Sequence, residues 1–342
     1  MSLVFRIDIK NLSKDIINKM PKILHTARYT GKPWEILKSV VPTGFTVETL
    51  ETATYDCLLR QCVDADYLLV SGRLPIDEGV LSAVPKLRMI QRTGVGTDML
   101  DLEAIKRHGV PVYVNAGINA RSVAEHTITL MLCCLKNIPL ISSNVKKGIW
   151  KKQETGVSCH ELYGKTVGLV GMGAIGKQVA SYLKVFGAKV LYTDLFRQTK
   201  EVENQLSLTY VESFQEMLPQ IDILSFHCPL TQDNKEMLND EMLAIMKDGA
   251  MVINTARGKL INEEALFKAL TNGKIHSAAL DVHYEEPIKG ISKFTTKDNV
   301  ILTPHIAGLS YESFLAMMKG AVDNIVAYEK GEKVSIKEKR FV

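Results

Sequence analysis

The stretch from Lys165 to Asp194, KTVGLVGMGAIGKQVASYLKVFGAKVLYTD, constrains this chain more than any other. Val167 to Val170 is a short apolar run that reads as a buried strand. It leads into Gly171-Met172-Gly173-Ala174-Ile175-Gly176, and a helical pattern follows from Ala174 to about Phe186. Gly187 stops that helix, and Lys189 to Thr193 reads as a second strand ending on Asp194. Strand, glycine turn, helix, strand and acid in this order form the dinucleotide-binding fingerprint in its required context. Gly171 permits the tight turn, Gly173 lets backbone N–H groups approach a pyrophosphate, and Gly176 lets helix and strand pack closely. The helix N-terminus adds unpaired N–H groups and a partial positive charge. Asp194 stands where a carboxylate accepts hydrogen bonds from ribose hydroxyls and repels a 2′-phosphate, which favours NAD over NADP. Arg197, three residues on, is the one local feature pointing the other way.

At 342 residues the chain is long enough for two ordinary domains with full cores. A net charge of +4 is too small to suggest a polyanionic partner, and no Lys/Arg cluster is interleaved with aromatics as on a nucleic-acid surface. The densest basic patch, Lys146, Lys147, Lys151 and Lys152, reads as a solvated loop. Cys57, Cys62, Cys133, Cys134, Cys159 and Cys228 form no CxxC pair, which points to free thiols in a reducing compartment and to no structural zinc. Cys133 and Cys134 lie in an apolar run and read as core. Arg6, Asp8 and Lys10 stand where a secretory signal needs apolar residues, and the longest apolar stretch, Ile128 to Leu135, is too short to span a bilayer. A cytoplasmic location with no membrane partner is the expectation.

Residues 1–20 form a polar lead-in. From Lys22 short apolar runs alternate with helical patterns. Candidate strands are Lys22–Thr26, Thr46–Leu50, Tyr67–Val70, Leu87–Arg92 and Val112–Asn115, with helices near 33–40, 54–63, 77–84 and 99–108 between them. Such alternation predicts a parallel sheet with helices on both faces. Ser122 and Glu125 have capping-box spacing ahead of a helix apolar on nearly every face, which must be buried between domains or in a subunit interface. A polar loop with Trp150 follows. The fingerprint strand then begins a second alternating unit, with strands at Ile221–His227, Ala250–Thr255, Ala278–Val282 and Val300–Leu302 and helices near 211–218, 239–247 and 262–272. Gly249 and Gly273 read as C-caps, and a final helix, Glu312 to Lys330, precedes a short charged tail. The expected architecture is two doubly wound domains, residues 119–308 inserted into a domain of residues 1–118 that the segment 309–342 completes. Hinges would fall near Asn115–Asn119 and Ala307–Tyr311, with the active site in a cleft between the domains.

Three chemically capable residues fall at strand ends of the second unit. Arg257 follows Val252-Ile-Asn-Thr-Ala, Glu286 follows Asp281-Val-His-Tyr-Glu, and His305 follows Ile301-Leu-Thr-Pro. Each has a plain alternative: a surface arginine capping carbonyls, a solvated turn acid, a structural histidine. Their succession on a cofactor domain favours chemistry. Hydride transfer to a 2-oxo acid needs a cation for the carboxylate and carbonyl, and a proton donor or acceptor for the oxygen. A partner carboxylate fixes the imidazole tautomer and stabilises the imidazolium that reduction requires.

On these residues the sequence resembles the D-specific 2-hydroxyacid dehydrogenase family, from about Lys22 to Tyr328. The motifs are Arg92-Thr-Gly-Val-Gly-Thr-Asp98, Val123-Ala-Glu-His-Thr127, the Gly171–Gly176 turn, His227-Cys-Pro-Leu-Thr231, Asn254-Thr-Ala-Arg257-Gly258, Asp281 through Pro287, and Thr303-Pro-His305. The resemblance implies a flavodoxin-like substrate domain carrying an inserted Rossmann NAD-binding domain. It implies His305 as general acid/base, Glu286 as its partner, Arg257 as the substrate clamp, and the N–H groups of Val95 and Gly96 as holders of the substrate carboxylate. Cys228, Thr255 and Asp281 fall where the family contacts nicotinamide and ribose, Ala174 and Ile175 fall at the pyrophosphate, and Thr127 is a further cofactor-binding position. It also implies a homodimer joined through the NAD domain.

Departures bear on the substrate. His283 replaces an aromatic often found between Asp281 and Glu286, and Asn234 stands where the family often has threonine. Phosphoglycerate dehydrogenases carry an arginine where this chain has Ser71; Arg73 lies two residues on, but Pro75 marks the end of the strand, so a phosphorylated substrate is not favoured. The reading is an NAD-dependent enzyme interconverting a small 2-oxo acid and its D-2-hydroxy acid. The alternatives are a non-catalytic NAD-sensing, corepressor-like protein, or a relative with a donor such as formate or phosphite.

Overall fold

The computed structural model describes residues 20–334; residues 1–19 of the lead-in and 335–342 of the charged tail lie outside them. The chain divides into two compact units, one of residues up to Ile118 together with those from Tyr311, the other Asn119–Ser310.

The first unit holds five parallel strands, β1 (Lys22–His25), β2 (Thr46–Thr49), β3 (Tyr67–Val70), β4 (Met89–Arg92) and β5 (Val112–Tyr113), in the order β2-β1-β3-β4-β5. That order is flavodoxin-like. β3 shows why its residues are apolar throughout. Leu68 and Val70 enter a core with Leu24, Leu58, Ile90 and Ile105, while Tyr67 and Leu69 enter a second core with Ile23, Leu37 and Met89. A strand buried on both faces loses the polar alternation of a half-exposed one. The helix Tyr311–Glu329 lies in the second core through Met318, Val322 and Ile325. Asn324 donates to Gln91 at 3.1 Å, and Asn115 donates to the Met317 carbonyl at 2.9 Å.

The second unit holds seven parallel strands, β6 (Thr166–Val170), β7 (Lys189–Thr193), β8 (Leu208–Tyr210), β9 (Ile223–Phe226), β10 (Ala250–Asn254), β11 (Ile275–Leu280) and β12 (Val300–Leu302). Their order, β12-β11-β10-β9-β6-β7-β8, is the Rossmann order extended by one strand, with the reversal between β6 and β9. Both sheets are therefore doubly wound and parallel, as the alternation predicts.

Several local expectations differ. The helix Ala120–Leu135 starts before Ser122, with Asn119 at its N-cap, and the Ser122 hydroxyl donates to the Ala307 carbonyl at 2.8 Å rather than capping. That helix is buried within its own unit, packed on the sheet and on the helix Ala174–Val185, so its apolar faces need neither another domain nor another subunit. Cys134 is in that core and Cys133 is half-buried; all six cysteines are free thiols. The expected loop after Leu135 contains helices Ile138–Lys146 and Lys152–Gly156. β8 and the helix Lys200–Leu206 add to the elements that the alternation predicts. Gly249 lies beyond the C-cap of its helix, Met246, and turns the chain into β10. Gly187 does close its helix: its N–H donates to Lys184 and that of Ala188 to Leu183, a Schellman pattern. No single helix among the described residues is long and apolar enough to cross a membrane.

His25 in the first unit and His227 in the second are held as neutral rings. Burial lowers His25 to about 4 and His227 to about 3, both below the ordinary value of 6.5. The unfolded chain then takes up protons that the folded chain refuses, so stability is full above pH 6.5 and falls on acidification toward those folded values. Each ring should cost on the order of 3 kcal/mol by pH 4. Urea unfolding at pH 7.5, 5.5 and 4.5 should show midpoints falling with pH, and His25→Gln should flatten the first unit's dependence.

Candidate active site

The glycine turn links β6 to the helix Ala174–Val185, with Gly173 at the N-cap. Gly171 has φ +98°, and a Cβ there would lie 2.8 Å from the backbone of His227 and Cys228. A Cβ on Gly176 would lie 2.2 Å from the Gly171 carbonyl oxygen. Only glycine fits either position. Around Gly173 the space a Cβ would take is open, so the N-termini of the turn and helix, including Ala174 and Ile175, form a cradle that suits an anionic pyrophosphate. Asp194 follows β7, and its Oδ2 accepts from the Met172 N–H at 2.5 Å while Oδ1 accepts from Phe196 at 3.1 Å. The acid is thus anchored to the turn it is expected to serve. Arg197 is committed elsewhere: it donates to both oxygens of Glu203, at 2.8 and 3.1 Å, and lies over the Tyr210 ring at 4.9 Å. Arg197 and Lys200 together hold the Glu203 carboxyl down at about 2.

The three strand-end residues come together through their loops. His305 Nδ1 lies 2.7 Å from Glu286 Oε2, and the other carboxylate oxygen, Oε1, accepts from the His283 N–H at 2.7 Å. The imidazole is 40% exposed and the carboxylate 16%, so the pair is reachable while its acid is mostly covered. A carboxylate can only accept, so Nδ1 carries the proton. His305 has a left-handed backbone, φ +57°, which is costly for a non-glycine residue and persists only where its surroundings over-determine it. Here Asp281 does that. Its carbonyl accepts from the His305 N–H at 2.7 Å, and its fully buried carboxylate accepts from Thr303 Oγ1 at 2.6 Å, Ile306 N–H at 2.9 Å and Ala307 N–H at 2.9 Å. His126 of the long helix stands 3.7 Å from the same carboxylate. His283 also serves this loop, its Nε2–H donating to the Thr303 carbonyl at 2.9 Å.

Arg257 lies on the loop after β10. The buried Asn254 accepts from the Ala256 N–H at 3.0 Å and donates to the Arg257 carbonyl at 2.9 Å, clamping that loop from inside. Arg257 Nη1 donates to the Ala256 carbonyl at 2.7 Å. The Arg257 and Glu286 loops touch directly, since a Cβ on Gly258 would lie 2.1 Å from the His283 carbonyl. Thr127, fully buried, donates to the Val123 carbonyl at 2.8 Å and therefore accepts from Thr255 Oγ1, 3.0 Å away. Cys228 is half-buried and its thiol is pushed up to about 11 by burial, so it stays protonated near neutral pH. Asn234 closes the following loop, accepting from Thr231 N–H at 2.7 Å and donating to the Pro229 carbonyl at 2.8 Å.

In the first unit the turn after β4 carries Val95, 45% exposed, and Gly96. Arg92 holds this turn by donating to the Gly96 carbonyl at 2.7 Å and reaches the Val70 carbonyl at 3.3 Å.

Asn254 and Thr303 lie within the motifs, but the sequence assigns neither a role. Asparagine at a strand end followed by a tight loop carries an Asx-turn signal, which marks Asn254 in retrospect. Thr303 and His126 carry no such signal, because their partners are remote in sequence.

A family model described as the NAD binding domain of D-isomer specific 2-hydroxyacid dehydrogenases matches residues 128–307. The D-3-phosphoglycerate dehydrogenase of Methanocaldococcus jannaschii is 37% identical over 92% of this chain, which spans only 58% of that protein's length. A glyoxylate reductase of Aeropyrum pernix is 36% identical, over 81% of this chain and 84% of its own. Among solved structures, the NAD-dependent formate dehydrogenase of Staphylococcus aureus in complex with NAD is similar with a TM-score of 0.81 at 26% identity, covering 94% of this chain and 99% of that one. With its two parallel doubly wound units and a matched NAD-binding region, the chain belongs to the D-isomer specific 2-hydroxyacid dehydrogenase family.

Proposed function

We propose that this chain interconverts a 2-oxo acid and its D-2-hydroxy acid, with NAD as the hydride carrier. The observation that carries the reading is the 2.7 Å His305–Glu286 pair on a loop that Asp281 pins, in contact with the loop of Arg257. His305 gives a proton to the substrate oxygen in reduction and takes it back in oxidation. Glu286 holds Nδ1–H and leaves the exchange to Nε2. Arg257 faces the carboxylate and the oxygen on which negative charge grows. The N–H groups of Val95 and Gly96 hold the carboxylate.

The nicotinamide supplies or accepts the hydride when bound. Gly171, Gly173, Ala174, Ile175 and Gly176 would hold the pyrophosphate, Asp194 the ribose hydroxyls, and Thr127, Cys228, Thr255 and Asp281 the nicotinamide end. The Glu203 carboxylate supports NAD over NADP, because it engages both Arg197 and Lys200, cations close in sequence to Asp194 that could otherwise meet a 2′-phosphate. Self-association through the second unit completes the proposal. It is supported by Ile138 and Trp150, 49% and 78% exposed, on and just past the helix that follows the buried one.

The test is NADH oxidation by purified protein with glyoxylate, pyruvate, hydroxypyruvate, phosphohydroxypyruvate and bulky branched 2-oxo acids. Turnover of one or two is expected. Silence on all of them with NADH still bound would overturn the reading in favour of an NAD sensor or another donor.

A further inference from the structure

The carboxyl ends of β1 and β3 meet where the strand order of the first sheet reverses, the position at which open α/β sheets bind ligands. A polar chain lies there. His25 ends β1 and is fully buried, and its Nδ1 is 3.1 Å from the Ala27 carbonyl oxygen. A carbonyl only accepts, so Nδ1 carries the proton of this neutral ring and Nε2 is an acceptor. Nε2 is hydrogen bonded to Ser71 Oγ, so Ser71 donates to it. The Tyr29 hydroxyl is 3.4 Å from the same oxygen, a loose contact in which tyrosine is the donor because the serine proton is committed. Proton order therefore runs Tyr29, Ser71, His25, Ala27, and the Tyr29 oxygen is the acceptor at the end of the chain.

This end is held in place and partly accessible. The Tyr29 ring stacks on His25 at 4.0 Å and lies 5.6 Å from Phe314, and its N–H donates to Thr49 Oγ1 at 2.8 Å. Ser71 is tied to the neighbouring loops: its carbonyl accepts from Thr26 Oγ1 at 3.1 Å, and the Val70 carbonyl beside it accepts from the Thr93 N–H at 3.1 Å. Thr93 opens the turn that carries Val95 and Gly96. A sheet end needing only to be filled would take leucine here; burying the polar side chains of His25 and Ser71 costs desolvation that packing does not return.

We propose that the Tyr29–Ser71–His25 chain reads the substrate carbon next to the carbonyl and selects a 2-oxo acid bearing a neutral hydroxyl there. This rests on the 2-oxo acid reading above and names its substrate class. A hydroxyl can donate to the Tyr29 oxygen and accept in turn. A hydrogen or methyl leaves the polar end dry and unpaired, and sites built to bond a hydroxyl reject analogues lacking it. A phosphate has no proton to give the acceptor and would face a neutral histidine instead of a cation; Arg28 and Arg73, exposed on the same two loops, are what it would use instead.

The experiment measures kcat/KM with NADH for hydroxypyruvate, pyruvate, glyoxylate and phosphohydroxypyruvate in the wild type, Tyr29→Phe and Ser71→Ala. The wild type should prefer hydroxypyruvate to pyruvate by about tenfold or more. Tyr29→Phe should lower the hydroxypyruvate-to-pyruvate ratio roughly fivefold to tenfold, and Ser71→Ala should lower it in the same sense. The ratio is internal to one preparation, so lost folded protein cancels, and either variant suffices if the other does not fold. An unchanged ratio, or a wild-type preference for pyruvate or the phospho acid, overturns the proposal and leaves the 2-oxo acid reading standing. No turnover of these four acids or of the branched 2-oxo acids, with NADH still bound, overturns both.

Discussion

His305→Asn is expected to lower kcat by roughly a thousandfold or more, at the upper end of what one positioned proton-transfer group contributes. Asparagine can still meet Glu286 through its amide, so the carboxylate is not stranded, but it can neither deliver nor accept a proton in the relevant pH range. NADH affinity, read by fluorescence titration, should stay within about threefold, since the glycine turn and Asp194 belong to other loops. The backbone offers a control. His305 occupies a left-handed conformation that asparagine tolerates better than most residues, so the substitution leaves the Asp281-held loop in place. Turnover near the wild-type rate would remove His305 from the proton path.

Arg257→Gln should cost about a hundredfold to a thousandfold in kcat/KM, the range for losing a donor aimed at a developing oxyanion. The partition is informative. Loss of a ground-state carboxylate contact raises KM, whereas loss of carbonyl polarisation lowers kcat. A clamp serving both should do both. Arg257→Lys keeps the charge but not the planar fork, and should recover only part of the loss. Thermal melting should be nearly unchanged in both variants, because Asn254 holds the loop through backbone groups that remain. A variant with normal kinetics would make Arg257 a surface residue.

What could be read from the sequence is what depends on neighbours in the chain. β7 and β12 have the ends that their apolar runs predict, and the Lys165–Asp194 unit folds as strand, turn, helix and strand because its glycines and period are local. β8 was invisible: three residues on a sheet edge with one buried side chain give no periodic signal. Ser122 has the right spacing for a cap, but the fold brings the Ala307 carbonyl to its hydroxyl and that bond wins.

The candidate residues His305, Glu286 and Arg257 were legible because each follows an apolar strand, and strand ends of a parallel sheet converge on one rim. What holds them was not legible. Asp281 acts on residues 22 to 26 positions away, and Ser71 meets a histidine 46 positions earlier. A sequence determines the elements through short-range sterics and period. Only the tertiary structure decides which buried donor meets which acceptor, because those pairings are selected by the cost of leaving either one dry and alone.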